Sequence, residues 1–155
     1  EKELRGTLRF YEKHKTCAFC EILKFEKEEN KRIVFENNHF IVIQPFASRN
    51  PFETWIVPKR HFSNFEHINK DEINSFSECL KLLVDFFYNE LSNPSFNYYI
   101  HTGPLHTKTD HHYHWHFELI PKLSIKAGFE IATGIDICIT TPEDTAKFIK
   151  DKLNK

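Results

Sequence analysis

Residues 112–118 read H-Y-H-W-H-F-E. In an extended chain, successive side chains point to opposite sides. His112, His114, His116 and Glu118 therefore share one face, while Tyr113, Trp115, Phe117 and Leu119 share the other. Three imidazoles stand about 6.5–7 Å apart along one line, backed by a face that is ready to bury. Imidazole ligates metals, shuttles protons and attacks phosphorus, and its charge changes near neutral pH. A solvent-facing strand rich in histidine is the plain alternative. Strict alternation against Tyr, Trp and Phe favours a working site.

The rest of the chain supplies a scaffold for such a strand. Residues 1–14 carry Leu4, Leu8 and Tyr11 at helical spacing and predict a short N-terminal helix, set apart from a domain spanning 15–155. The stretch 17–23 predicts a tight knuckle with an apolar start, and 26–31 a charged loop. Residues 32–43 predict two short strands about a turn at Asn37-Asn38, and 54–57 a buried strand stopped by Pro58. Residues 69–91 predict the longest helix. Asn69 and Glu72 form its capping box, and Ile73, Phe76, Leu80, Leu83, Val84, Phe87 and Leu91 its apolar stripe. Further strands are expected over 97–100, 112–120 and 129–140. A last helix is capped by Thr141 with Pro142 in its first turn. Strands joined by short links, with helices between them, predict a single-domain α+β fold built on an antiparallel sheet.

Bulk properties narrow the classes. The 155 residues suit one domain, and an apolar fraction of 40% with 16 Phe supplies a core. A net charge of -1 gives no basic surface for nucleic acid, and no apolar run approaches the ~20 residues that span a bilayer. The expectation is a cytoplasmic protein with neither a nucleic-acid nor a membrane partner. The chain starts at Glu1 and holds no Met, which suggests a processed end or an excised fragment.

Cys17 and Cys20 form a C-x-x-C pair without a βαβ pattern around it, which favours a metal over a redox couple. Zinc then needs two further ligands in tetrahedral geometry. With no second C-x-x-C in the chain, histidine must supply them. His61 lies just beyond the strand ending at Pro58, and His112 is the first histidine of the triad. The expected zinc set is Cys17, Cys20, His61 and His112. Cys79 and Cys138 are expected to be buried small hydrophobes. Arg49, Lys59 and Arg60 are expected to be solvated loop charges.

H-Y-H-W-H-F-E resembles the signature of the histidine-triad superfamily. CAFCEI, PFASRNPFETWIVPKRH, NYYIHTGP, HWHFELIPKL, AGFEIATG and TPEDTA, in that order over most of 17–147, resemble the C-terminal half of galactose-1-phosphate uridylyltransferases and related sugar-nucleotide phosphorylases. The resemblance implies a histidine-triad-like fold. It also implies nucleotidyl transfer between sugar nucleotide and sugar phosphate through a nucleotidyl-histidine. His114 would then be the nucleophile, His116 its hydrogen-bonding neighbour, and His112 a zinc ligand. In the full-length enzymes the nucleophile lies in an H-P-H-x-Q motif of the other half, which this chain lacks. In the half it matches, His101, His114 and His116 can instead form a second metal site, for a metal such as iron, with a fourth ligand outside the chain or near its start. Phe129 and Glu130 would contact the hexose. A homodimer, or packing against a homologous N-terminal domain, is also implied. Three readings stay open: a nucleotidyltransferase domain, a non-catalytic metal-binding and dimer-supporting lobe, and a stand-alone histidine-triad nucleotide hydrolase. AGFEIATG speaks against the last.

Overall fold

The computed structural model describes residues 2–153. In chain order the elements are α1 (Lys2–His14), α2 (Ala18–Glu29), β1 (Ile33–Glu36), β2 (Phe40–Ile43), β3 (Thr54–Pro58), α3 (Lys70–Glu90), β4 (Phe96–His101), β5 (His116–Pro121), α4 (Gly128–Thr133) and α5 (Pro142–Leu153). The strands form one antiparallel sheet in the order β1-β2-β3-β5-β4. This is the expected α+β class. Among the described residues no helix is long and apolar enough to cross a membrane.

Alternation along the strands gives the sheet two faces. Val34, Phe40, Val42, Ile56, Phe117 and Leu119 point to one side and form the main core with Leu83, Phe86 and Phe87 of α3 and Ala146 and Ile149 of α5. Trp115 is fully buried there, its ring 5.9 Å from Phe40, 5.7 Å from Phe62 and 5.0 Å from Phe65. Such tilted and edge-on contacts add to area burial. The opposite face carries Ile33, Ile41, Ile43, Val57 and Trp55 under Leu23 of α2. A register shift between Ile33 and Phe35 lets β1 feed both cores.

Helix α3 begins as its sequence predicts. The Asn69 side chain accepts from the Asp71 and Glu72 N–H groups, and Glu72 Oε2 accepts from Asn69 N–H. Its inward face is rotated from the expected stripe, for Ile73 is exposed while Cys79 and Phe86 are buried. The Asn37 turn is held by its Oδ1, which accepts from the His39 and Phe40 N–H groups. Thr141 Oγ1 accepts from Asp144 N–H at the start of α5.

Several expectations are corrected. Cys17-x-x-Cys20 is not an isolated knuckle, and 26–31 is not mostly loop: Cys17 occupies the N-cap of α2, which runs to Glu29 and is closed by Asn30 at φ 50. The charged end of α2 is held because buried Glu26 meets Arg32 Nε at 3.0 Å, and Arg32 also reaches Glu143 of α5 at 2.5 Å. Residues 112–115 do not extend β5. The N–H groups of His112 and Tyr113 return to Thr109 O in a turn, and Trp115 N–H bonds Phe62 O. Nor do residues 129–140 form a strand. Glu130 accepts from the N–H groups of Ala127 and Ile137, which folds the segment into α4 and an extended tail. Cys138 in that tail is half-buried rather than buried, whereas Cys79 is fully buried.

Candidate functional site

The face of the sheet that carries α2 places two clusters of ligand-type side chains side by side. In the first, the N-terminus of α2 presents Cys17 and Cys20, the turn after β3 presents His61, and the segment before β5 presents His114. One ligand atom from each lies within 4.8 Å of all the others. Cys20 Sγ is 3.3 Å from His61 Nδ1 and 3.6 Å from His114 Nδ1. Bonds of about 2.0–2.3 Å in a tetrahedron set ligand atoms roughly 3.3–3.8 Å apart, so the donor set and its spacing fit zinc.

The ring orientations are fixed from behind. His61 Nε2 is 2.6 Å from Asp110 O, and His114 Nε2 is 2.9 Å from Pro58 O. A carbonyl only accepts, so each Nε2 carries the proton and each Nδ1 turns its lone pair toward the sulfurs. In the metal-free protein the Cys20 S–H donates to Cys17 and holds the Cys17 thiol far below its usual range. The same bond, with burial, pushes Cys20 up. His61 is raised by its bond with Cys17 against the effect of burial.

The second cluster is Glu3, His101 and His116. Register makes it, because β4 sets His101 opposite His116. Their rings stack at 4.5 Å, and the His116 ring also lies 4.5 Å from Phe19 and 5.0 Å from Trp55. His116 Nδ1 donates to His114 O at 3.3 Å, leaving Nε2 toward Glu3 Oε1 at 3.9 Å. His101 bridges two carboxylates, with Nδ1 2.8 Å from Glu3 and Nε2 2.9 Å from Glu118. Those bonds, Glu118 first, raise His101 to about 9, while burial lowers His116 to about 4. Burial pushes Glu3 up, but the His101 bond and the neighbouring imidazoles outweigh it and hold the carboxyl below its ordinary range. Tyr113 Oη also donates to Glu3 at 3.0 Å.

A cavity of about 660 Å3 adjoins this cluster, lined among others by Arg49, Tyr99, His101, Glu118, Lys126 and Glu130. Arg49 and Arg60 stay solvated, with side chains 56% and 51% exposed, though each pairs with a carboxylate, Arg49 with Glu118 at 2.5 Å and Arg60 with Glu72 at 2.8 Å; Lys59, on Glu36 at 2.6 Å, is less exposed.

The structure therefore groups His114, not His112, with Cys17, Cys20 and His61. His112 turns away, its Nδ1 3.3 Å from Thr7 Oγ1 on α1. His101 and His116 do meet, but their third partner is Glu3 rather than His114. Both nitrogens of His114 face partners, Nδ1 toward Cys20 Sγ and Nε2 on Pro58 O. Phe129 is exposed beside Glu130, whose two oxygens are occupied by backbone N–H groups. Glu118 shares the histidine face of β5, so alternation alone could have flagged it. Glu3 and Asp110 carried no such signal, since an acidic residue on a polar helix or in a loop is ordinary.

A family model described as galactose-1-phosphate uridyl transferase, C-terminal domain, matches residues 3–144. The chain belongs to this family. Within the uridylyltransferase family it is similar to galactose-1-phosphate uridylyltransferase of Thermotoga maritima, 32% identical over 97% of this chain and 49% of that one. The solved ADP-glucose phosphorylase of Arabidopsis thaliana with bound ADP-glucose is 36% identical, with a TM-score of 0.84 over 96% of this chain and 46% of that one. A zinc-bound histidine triad family protein of Mycobacterium smegmatis shares the fold at 17% identity and a TM-score of 0.58, over 89% of this chain and 93% of that one. The chain spans less than half the length of the curated uridylyltransferase and phosphorylase relatives it matches first.

Proposed function

We propose that this chain is the metal-binding C-terminal part of a nucleotidyltransferase that moves a nucleoside monophosphate between a sugar nucleotide and a sugar phosphate. In this reading Cys17, Cys20, His61 and His114 hold zinc, and Glu3, His101 and His116 hold a second metal such as iron. The cavity beside Glu118 and Glu130, with Phe129 near its rim, receives the hexose. The observation that carries the reading is the pairing of both His114 ring nitrogens, one toward Cys20 Sγ and one on Pro58 O. It makes His114 a ligand, and His112 a helix-docking residue rather than a fourth zinc ligand. Bound zinc in a closed four-ligand set supplies cross-linking, not an open coordination position. The residues do the rest. Carbonyls of Asp110 and Pro58 hold the imidazoles, α2 delivers both sulfurs, and Trp115 anchors the segment between the clusters. The N-terminal helix of residues 1–14, though distinct in sequence from 15–155, contributes Glu3 to the second set. The protein works in the cytoplasm as a homodimer or against a homologous N-terminal half, with sugar nucleotide and sugar phosphate as its small-molecule partners.

A second reading has one observation in its favour. Burial keeps the His116 imidazole neutral, and its Nε2 makes no backbone bond. His116 could then attack the α-phosphorus, forming an N–P bond as the P–O bond to the departing sugar phosphate breaks. Intact mass after incubation with UDP-glucose or ADP-glucose separates the two readings. A gain of one nucleoside monophosphate, lost in His116→Ala and kept in His112→Ala, supports the second. No gain in folded, metal-loaded protein supports the first.

A further inference from the structure

Between β4 and His112 the chain makes a loop, residues 102–111, that ligates nothing yet is interlocked with residues 63–65. Gly103 N–H donates to Ser63 O at 2.8 Å, and Asn64 Nδ2 donates to Gly103 O at 3.1 Å. Thr102 Oγ1 accepts from Phe65 N–H at 2.9 Å. Ser63 Oγ lies 2.6 Å from Asp110 Oδ1 and also against Asn64 Oδ1. Its single proton goes to the stronger acceptor, the carboxylate. At Gly103 the backbones of the two strips meet without room for a side chain. A Cβ there would stand 2.7 Å from Thr109 Oγ1, 2.9 Å from Asn64 Oδ1 and 3.2 Å from Ser63 O. Ser63, Asn64 and Thr109 are all buried, so none has room to retreat.

The clasp ends at Asp110, whose backbone oxygen is the acceptor for His61 Nε2. We infer that Gly103, Ser63 and the Asp110 carboxylate are positioning residues for the metal set: they lock loop 102–110 so that the Asp110 carbonyl fixes the His61 ring with Nδ1 toward the sulfurs. The inference rests on the zinc reading above. Outer partners of this kind orient a ligand imidazole and raise its basicity, and their loss typically weakens metal binding by ~10–100-fold.

The test is zinc affinity by chelator competition, together with thermal unfolding of each metal-free protein. Asp110 is exposed, so its variants should fold. Asp110→Ala removes the anchor for Ser63 and should weaken zinc by ~10-fold. Asp110→Asn keeps an Oδ1 acceptor and should restore affinity to within about twofold of the parent. Gly103→Ala should weaken zinc by ~10–100-fold if it folds. Equal weakening in Asp110→Ala and Asp110→Asn would mean that the charge, not the clasp, matters, and would overturn the inference. So would parent-like affinity in Asp110→Ala. A parent protein that takes up no zinc overturns the metal reading, and this inference with it.

Discussion

His114 and His116 stand two residues apart on one face of one extended segment, yet their surroundings give them opposite characters. His114 sits among thiols and backbone carbonyls, with both nitrogens committed. His116 sits between aromatic rings and a carboxylate, with one nitrogen on the backbone and the other toward Glu3. The first cluster is compact and draws on three separated parts of the chain. The second is a cross-strand pair capped by a helix and beside a cavity. What a histidine does here is decided by the atom behind its ring rather than by its place in the H-x-H-x-H series.

This contrast orders the expected effects. The largest should come from breaking the first cluster. Cys20→Ser should abolish tight zinc binding and cost several kcal/mol of stability, since structural zinc contributes up to ~10–16 kcal/mol in small zinc domains. Elemental analysis with denaturant unfolding reads both. Chelation of the parent should lower its unfolding midpoint toward that of Cys20→Ser. A comparable loss is expected between the clusters. Trp115→Ala should cost about 3–5 kcal/mol by emptying the aromatic pocket that anchors their shared segment, as urea unfolding would show.

Smaller effects should mark the second cluster. In the metal-free protein His101 is raised to about 9 by Glu118 and Glu3, so its contribution is fully present below the unfolded histidine value near ~6.5 and is lost as pH rises through 9. His116 is lowered to about 4, so its neutral form is favoured and stability falls as pH drops from ~6.5 through 4. Stability against pH should therefore peak near neutrality, and His101→Gln should flatten the alkaline limb. A thermal-unfolding series across pH checks this, and an unchanged alkaline limb would remove His101 from the account. The smallest effect is expected from Arg49→Ala. The half-exposed guanidinium pairs with Glu118 at the cavity edge, and its loss should cost under ~1 kcal/mol.

The sequence carried the fold well because its signals were local. The Asn69–Glu72 box, the Asn37 turn and the Pro58 stop each act within a few residues, and each lies where expected. Helix α2 escaped because a half-charged helix needs only a narrow buried line, here Phe19, Leu23 and Glu26. The isoleucines of 129–140 suggested a strand, but Glu130 accepts from the N–H groups of Ala127 and Ile137 and folds the start of the segment into α4, a closure that alternation does not reveal. At the site, C-x-x-C and His61 were legible from spacing. The choice between His112 and His114 was not, because it depends on the turn at Thr109 that swings His112 toward α1. Glu3 lies 113 positions before His116, beyond the reach of any local pattern.

The most direct test compares His114→Ala with His112→Ala, each loaded with cobalt as a zinc substitute, by the thiolate-to-cobalt charge-transfer band. His112→Ala should keep the band and the coordination number of the parent. His114→Ala should lose the tetrahedral signature and bind far more weakly. The reverse pattern would contradict the account, returning His112 to the metal and leaving His114 free for chemistry.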